Sequence, residues 1–231
     1  MSLKLDQVIP WGRCLDEYIG MFSLTSSDLK LAILDCAGGP ASFNAEMTRQ
    51  GKNVISCAPH YYQRTPVEID ALIQDAYHTV IDFPRELYAY GGNNYFESQK
   101  QLANVRRNAT QEFLEDFPSG FQEGRYVNAS LPDLPFEKGK FDLALCSHFL
   151  FSDPHLSENF RLEAITEMCR VAKQVRIFPL LDRNGMESEH LNPIVTELRN
   201  RSFHVEEPEE VPYEFQRGGN EMLRVSQESS A

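Results

Sequence analysis

The stretch from Leu31 to Gln50 constrains the fold more than any other part of the chain. It opens with an apolar run short enough to be a strand buried on both faces of a sheet. Asp35 ends that run, and six small or backbone-special residues, Cys36 to Ala41, follow it. Ser42 is suited to cap a helix whose apolar positions recur at helical spacing from Phe43 onward. Strand, glycine turn and helix in this order bring main-chain N–H groups and a helix N-terminus close to a nucleotide.

The turn itself indicates which kind of nucleotide. An NAD-dependent oxidoreductase is disfavoured, because residues 37–42 do not supply the dinucleotide pattern G-x-G-x-x-G. The turn instead resembles motif I of the class I S-adenosylmethionine (SAM)-dependent methyltransferases, roughly hh-D-x-G-x-G-x-G. Gly39 matches the central glycine, while Ala37 and Ala41 stand where the outer glycines usually are. Longer stretches resemble a group of uncharacterised bacterial methyltransferase-like proteins, namely residues 9–13, 38–44 and 141–149.

This resemblance implies a single α/β domain over residues 1–231. The expected fold is a Rossmann-like, mostly parallel seven-stranded sheet flanked by helices, with the last strand antiparallel. Apolar runs place the strands at residues 31–34, 54–57, 124–129, 141–145, 175–180, 203–205 and 222–225. The glutamate-rich stretch 206–210 is expected to be a solvated loop. The resemblance also implies SAM as the cofactor.

At the amino-acid end of SAM, the resemblance points to the turn and to one arginine near the N-terminus. Asp35 and the small residues Ala37, Gly38 and Gly39 are expected to lie against the amino-acid part of the cofactor. Arg13 is expected to pair with its carboxylate, since a guanidinium can bind a carboxylate through two hydrogen bonds. The alternative is that residues 1–30 form a helical cap that only packs on the sheet.

The nucleoside end involves three other turns. Ala58 and Pro59 stand where a class I enzyme usually has an acid for the ribose hydroxyls. Either residues 60–62, His-Tyr-Tyr, bind the ribose instead, or cofactor affinity has been lost. Ser130 and Leu131 occupy the adenine-binding turn, as a side chain and a main-chain N–H respectively. Ser147, at the carboxyl end of the fourth strand, is expected to contact the cofactor.

His148 follows Ser147 and is the best candidate for a general base, because an unperturbed histidine titrates near neutral pH. Two alternatives are a contact in the pocket wall and a hydrogen-bonded structural histidine. His148, His155 and Asp153 lack the spacing of a zinc site, so no metal is expected. The substrate pocket is expected to include Trp11, Tyr18 and Tyr95. Residues 83–120, where glycines flank aromatics, predict a lid or an extra helical hairpin.

Composition limits the partners. The net charge of −12 argues against a general surface for nucleic acid or anionic membranes, since phosphates would be repelled. For Lys100, Arg106 and Arg107 the alternatives are a local basic patch and, as three cations on one helix usually indicate, an ordinary solvated face. The five cysteines lack C-x-x-C spacing and indicate reduced thiols in a cytoplasmic protein. The sequence gives no indication of oligomeric state.

The predicted function is SAM-dependent methyl transfer to a small molecule. Transfer from a sulfonium is an in-line displacement whose leaving group needs no acid, so few catalytic side chains are expected. Ala37, Ala41 and Ala58 favour an alternative, a catalytically inactive methyltransferase fold kept for binding or regulation.

Overall fold

The computed structural model describes residues 12–58, 64–65, 67–69, 71, 99–182, 184–214 and 218–227. Its strands are β1 Ile33–Cys36, β2 Val54–Cys57, β3 Tyr126–Val127, β4 Phe141–Ser147, β5 Ala172–Phe178, β6 Phe203–Val205, β7 Glu209–Glu210 and β8 Glu221–Gln227. Its α-helices are α1 Leu15–Phe22, α2 Phe43–Arg49, α3 Gln99–Gln122, α4 Glu158–Val171 and α5 Leu191–Asn200.

The strands form one mixed sheet in the order β3-β2-β1-β4-β5-β8-β6. The pairs among the first five strands of this order are parallel, whereas β8 runs antiparallel to both β5 and β6. A dinucleotide-binding sheet has the order 3-2-1-4-5-6, so the reversed β8 is an insertion between its last two strands. The predicted class I methyltransferase fold, with its last strand antiparallel, is confirmed.

The prediction of a solvated loop was wrong for the last two residues of the glutamate-rich stretch 206–210. Glu209 and Glu210 form the short strand β7, which pairs antiparallel with β8 and gives the sheet an eighth strand. The Arg224 guanidinium donates a hydrogen bond to Glu209 over 2.7 Å and so offsets one of the negative charges. A strand with one half-exposed face tolerates such carboxylates, because only alternate side chains point toward the core.

Helices cover the sheet on both faces. Helices α4 and α5 pack on one face, and their apolar side chains share a core with β1, β4, β5 and β8. Helices α1 and α2 cover the other face, where their apolar side chains pack with Ile33 of β1 and with Leu143 and Leu145 of β4. Helix α3 packs against α2 and β3. Within the described ranges, no helix combines the length and the apolar character needed to cross a membrane.

Candidate functional site

The glycine loop, residues 36–42, lies at the carboxyl end of β1, between β2 and β4. The sheet order reverses direction between β1 and β4, and open α/β sheets bind ligands at such a point. Ala37 and Gly39 both adopt left-handed backbone conformations, with φ of 60° and 62°. The Ala37 N–H donates to the Cys57 carbonyl over 2.9 Å, which ties the loop to the end of β2. The loop is therefore held in a defined turn at the expected ligand edge.

Asp35, the acid of motif I, lies beneath this loop with its carboxylate buried. The Tyr18 hydroxyl donates to one carboxylate oxygen over 3.0 Å, and the Ser56 hydroxyl donates to the other over 3.1 Å. Burial raises the pKa of Asp35 to about 6, although these two hydrogen bonds act in the opposite direction. Each oxygen retains a second lone pair, so the contact with the cofactor ammonium stays a prediction.

The N-terminal strap, residues 12–15, crosses the glycine loop. The Ser42 N–H donates to the Arg13 carbonyl over 3.1 Å, and the Leu15 N–H donates to the Glu46 carboxylate over 2.9 Å. At Gly12 an added Cβ would lie 2.4 Å from the Pro40 carbonyl oxygen, so the two main chains are in close contact. The strap thus lies on the loop and on the start of α2.

A buried ion pair joins α1 to α3 beside the strap. The Glu17 carboxylate accepts hydrogen bonds from the Arg106 guanidinium, from the Tyr213 hydroxyl over 2.8 Å and from the Cys14 N–H over 3.1 Å. The prediction of a solvated face for Arg106 was wrong. This side chain is 7% exposed and recurs at helical spacing with the buried residues Leu102, Ala109 and Phe113.

Sequence reasoning missed Glu17 and Tyr213 as well as the pairing of Arg106. For Arg106 the signal was present, since its position continues the apolar face of α3. Glu17 carried a weaker signal, because an acid at the third position of a helix can close a capping box, which it does here. Tyr213 lies in a loop, and nothing in its local sequence indicates a partner on α1.

Arg13 lies inside this polar region. Its side chain is buried, and burial together with the charge of Arg106 lowers its pKa, while Tyr213, Glu17 and Tyr18 act in the opposite direction. The strap therefore brings a guanidinium to the region next to the glycine loop. The predicted pairing of Arg13 with a cofactor carboxylate stays a prediction.

His148 follows β4 directly and adopts a positive φ of 53°, which is uncommon for a residue with a side chain. Its N–H donates to the Phe178 carbonyl over 2.6 Å, and its ring meets the Phe178 ring edge-to-face at 5.5 Å. Burial, then the charges of Arg13 and Arg106, lower the pKa of His148 well below its usual value. The imidazole is consequently neutral at pH 7, and its role as a base stays a prediction.

The other predicted contacts surround the same edge. Ala58 is buried at the end of β2, and Ser147 is buried at the end of β4. Leu131 is buried in the core under α4, whereas the neighbouring Ser130 is exposed. The ring of Tyr18 has no exposed surface, and its substrate contact stays a prediction. Trp11, Pro59 and Tyr95 lie outside the described residues, as do 83–98 of the predicted lid and the alternative ribose contacts at 60–62.

Metal chemistry was not expected from the sequence. In the part of the chain that the structure describes, no three His, Cys, Asp or Glu side chains are grouped so that they could hold a metal ion. All five cysteines are free thiols. Burial raises the pKa of the Cys57 and Cys146 thiols to about 12, so both are protonated and unreactive at neutral pH.

Comparison with known proteins gives one relative that spans nearly the whole chain. The uncharacterised protein MJ0045 of Methanocaldococcus jannaschii is 31% identical over 225 residues, which cover 96% of this chain and 98% of that protein. The chain belongs to the same family as this archaeal protein. No protein-family profile matches the sequence.

Solved structures of low sequence identity also resemble the chain. Magnesium protoporphyrin IX methyltransferase from Synechocystis PCC 6803, crystallised with SAM, is 13% identical with a TM-score of 0.44, covering 87% of this chain and 72% of its own. A SAM-dependent methyltransferase from Aquifex aeolicus is 12% identical with a TM-score of 0.43, covering 90% of each chain. Another from Methanosarcina mazei is 16% identical with a TM-score of 0.44, covering 86% and 92%.

Proposed function

We propose that the protein is a SAM-dependent methyltransferase that acts on a small molecule. The observation that carries this proposal is the glycine loop at the carboxyl end of β1, where the sheet order reverses. Left-handed Ala37 and Gly39 turn the chain sharply there, and Gly38, which has no side chain, lets the main chain of the loop lie directly against the Asp35 carboxylate. In class I methyltransferases, which the sequence resembles, this turn receives the amino-acid part of SAM.

The residues around the loop supply groups of the required chemistry. Arg13 offers a cation for the carboxylate of the cofactor, and Ser147 offers a hydroxyl at the end of β4. Ser130 and Leu131 lie in the loop after β3, where the adenine would bind. SAM, when bound, supplies an activated methyl group, so the protein needs mainly to orient the acceptor and exclude water. His148 would accept a proton if the acceptor atom carries one.

The second candidate is a non-catalytic protein that uses the same fold for binding or regulation. Ala58 favours it, because this buried residue, directly after β2, lacks the carboxylate that usually binds the ribose hydroxyls. Loss of hydrogen bonds to a charged group would weaken cofactor binding by roughly 1.5–3 kcal/mol. Such a loss lowers affinity and is compatible with either candidate, so direct binding measurements must decide.

Calorimetric titration with SAM, S-adenosylhomocysteine and adenosine tests the proposal. We expect the wild-type protein to bind SAM and S-adenosylhomocysteine, and Arg13→Lys to weaken both but hardly affect adenosine, which has no carboxylate. Lysine lacks the planar fork of arginine, and disrupting a buried charge pair costs about 2–5 kcal/mol. The exposed Arg107→Lys is the matched control and should change none of the three. Absence of SAM and S-adenosylhomocysteine binding to the wild type would favour the non-catalytic candidate.

A further inference from the structure

Tyr18 reaches the carboxyl end of β1 from helix α1 and not from a strand of the sheet. Its side chain has no exposed surface. The ring stacks on Phe43 of α2, with ring centroids 4.1 Å apart and planes within 4° of parallel. This packing aims the hydroxyl at the carboxyl end of β1, where the glycine loop begins.

The Tyr18 hydroxyl is part of a chain of buried hydrogen bonds that connects four elements. It donates to Asp35 on β1 over 3.0 Å. Ser56 on β2 donates to the other Asp35 oxygen over 3.1 Å and accepts from the Asn44 amide of α2 over 3.1 Å. Asp35 is thus held from both sides by neutral donors.

The glycine loop rests directly on this chain. A Cβ added to Gly38 would lie 2.2 Å and 2.7 Å from the two Asp35 carboxylate oxygens and 2.7 Å from the Tyr18 hydroxyl oxygen. No side chain fits in that space, so the main chain at Gly38 is in close contact with both groups. Movement of either the carboxylate or the phenol would therefore change the support of the loop.

We propose that Tyr18 is a positioning residue, whose hydroxyl holds the Asp35 carboxylate under Gly38 and so keeps the glycine loop in the conformation that receives the cofactor. The inference rests on the proposed function for the ligand and adds a role that differs from the predicted substrate contact. It also gives α1 a role in the site, because this helix supplies one of the two hydroxyls that donate to Asp35.

A packing role and a positioning role predict different results for removal of the hydroxyl. If Tyr18 only fills the core, Phe in its place retains the stack on Phe43 and the loop is unaffected. If the hydroxyl holds Asp35, Phe leaves one carboxylate oxygen without that donor, and the loop loosens. Tyr126 offers a matched control, since its buried hydroxyl donates to Asp116 over 2.7 Å at the distant contact between α3 and β3.

The experiment compares Tyr18→Phe with Tyr126→Phe by hydrogen–deuterium exchange and by calorimetry with SAM and adenosine. We expect Tyr18→Phe to speed amide exchange at residues 36–42 and to weaken SAM about tenfold, which is the effect of one hydrogen bond, while adenosine changes little. Tyr126→Phe should leave the exchange of these residues and both affinities unchanged. Ser56→Ala, which removes the other donor to Asp35, should reproduce the local effect.

Each other result has a defined meaning. Unchanged exchange at residues 36–42 in Tyr18→Phe would overturn the inference, as would faster exchange across the whole chain with equal loss of both ligands. If the wild type binds no SAM, the proposed function fails, and exchange at the loop still decides whether Tyr18 holds it. Faster local exchange with unchanged SAM affinity would overturn the link between loop and cofactor.

Discussion

Glu17 and Asp35 are two fully buried carboxylates in neighbouring parts of the molecule, and their surroundings differ in one respect. Glu17 faces a guanidinium, that of Arg106, in addition to the Tyr213 hydroxyl. Asp35 receives hydrogen bonds only from the hydroxyls of Tyr18 and Ser56 among its described contacts. Burial alone would raise the pKa of both groups, but the charge of Arg106 reverses this for Glu17, whose pKa is lowered. The pKa of Asp35 is raised to about 6.

The two carboxylates therefore act on stability in opposite directions. A depressed pKa means that folding favours the ionised form, so Glu17 stabilises the protein above its unfolded pKa, and that stability is lost as the pH falls. A raised pKa means that folding disfavours the ionised form of Asp35. Asp35 therefore does not lower stability when the pH is below its usual pKa of 3.8. Its destabilising effect grows as the pH rises from there to about 6. The Glu17–Arg106 ion pair stabilises the contact between α1 and α3, whereas the ionised Asp35 carboxylate destabilises the folded protein at neutral pH.

The largest expected effect comes from removing the cation of the ion pair. Arg106→Met leaves the Glu17 carboxylate buried without its counterion, which typically costs about 3–5 kcal/mol of the free energy of unfolding. Arg49→Met is the matched control, because Arg49 pairs with Glu112 at a largely exposed position where such pairs contribute about 0–1 kcal/mol. Urea denaturation at pH 7 measures both. Equal losses for the two variants would contradict the distinction between the buried and the exposed pair.

Replacing Asp35 tests the opposite effect, a gain in stability when a buried carboxylate is removed. Asp35→Asn removes the buried charge while its amide still accepts from Tyr18 and donates to Ser56, so we expect the variant to be more stable than wild type at pH 7.5. A pKa shift from 3.8 to about 6 corresponds to about 3 kcal/mol, and the gain should shrink as the pH falls toward 4. Thermal melts across this pH range measure the effect.

Glu17→Gln provides the counterpart for that experiment. It removes a carboxylate whose pKa is lowered, so it should destabilise the protein at pH 7.5. The loss should diminish as the pH falls, because the wild-type contribution then disappears. If both amide variants shift stability in the same direction at pH 7.5, the contrast between the two sites is wrong.

The same contrast explains what the sequence could and could not predict. The fold was predicted from the resemblance of the turn after Asp35 to motif I, and the apolar runs placed the strands. Asp35 was recognised from motif I, which is continuous in sequence. The partners of Glu17 come from α3 and from the loop before β8, so its network depends on contacts between residues 89 and 196 positions apart. No local pattern contains that information.

Tyr18 is a second residue whose hydrogen-bond partner could not be predicted from the sequence. Leu15, Tyr18 and Phe22 recur at helical spacing, which favours one buried helix face, and Tyr18 was predicted to contact the substrate. Which group its hydroxyl meets depends on how α1 crosses the sheet, because Asp35 is 17 residues away in sequence and on a different element. A residue type and a face were predictable, but the hydrogen-bond partner was not.

The smallest expected effect concerns backbone strain in the glycine loop. This strain lowers the free energy of unfolding in addition to the buried charge of Asp35, which has no counterion among its described contacts. Ala37 has a φ of 60°, and a left-handed conformation costs an ordinary residue roughly 1–2 kcal/mol. Ala37→Gly removes this strain but increases the entropy of the unfolded chain, which offsets roughly 0.4–1 kcal/mol. We expect a net gain of about 1 kcal/mol in the free energy of unfolding, measured by urea denaturation.

Ser202→Gly is the comparison for that variant, because Ser202 has a similar φ of 62° in the exposed turn after α5. A similar gain in both variants would mean that the strain at Ala37 is a property of the backbone alone. A loss of stability in Ala37→Gly would mean that the methyl group of Ala37 makes contacts that outweigh the strain. The loop would then resemble the ion-paired region around Glu17, where the counterion and the hydrogen bonds outweigh the cost of burial.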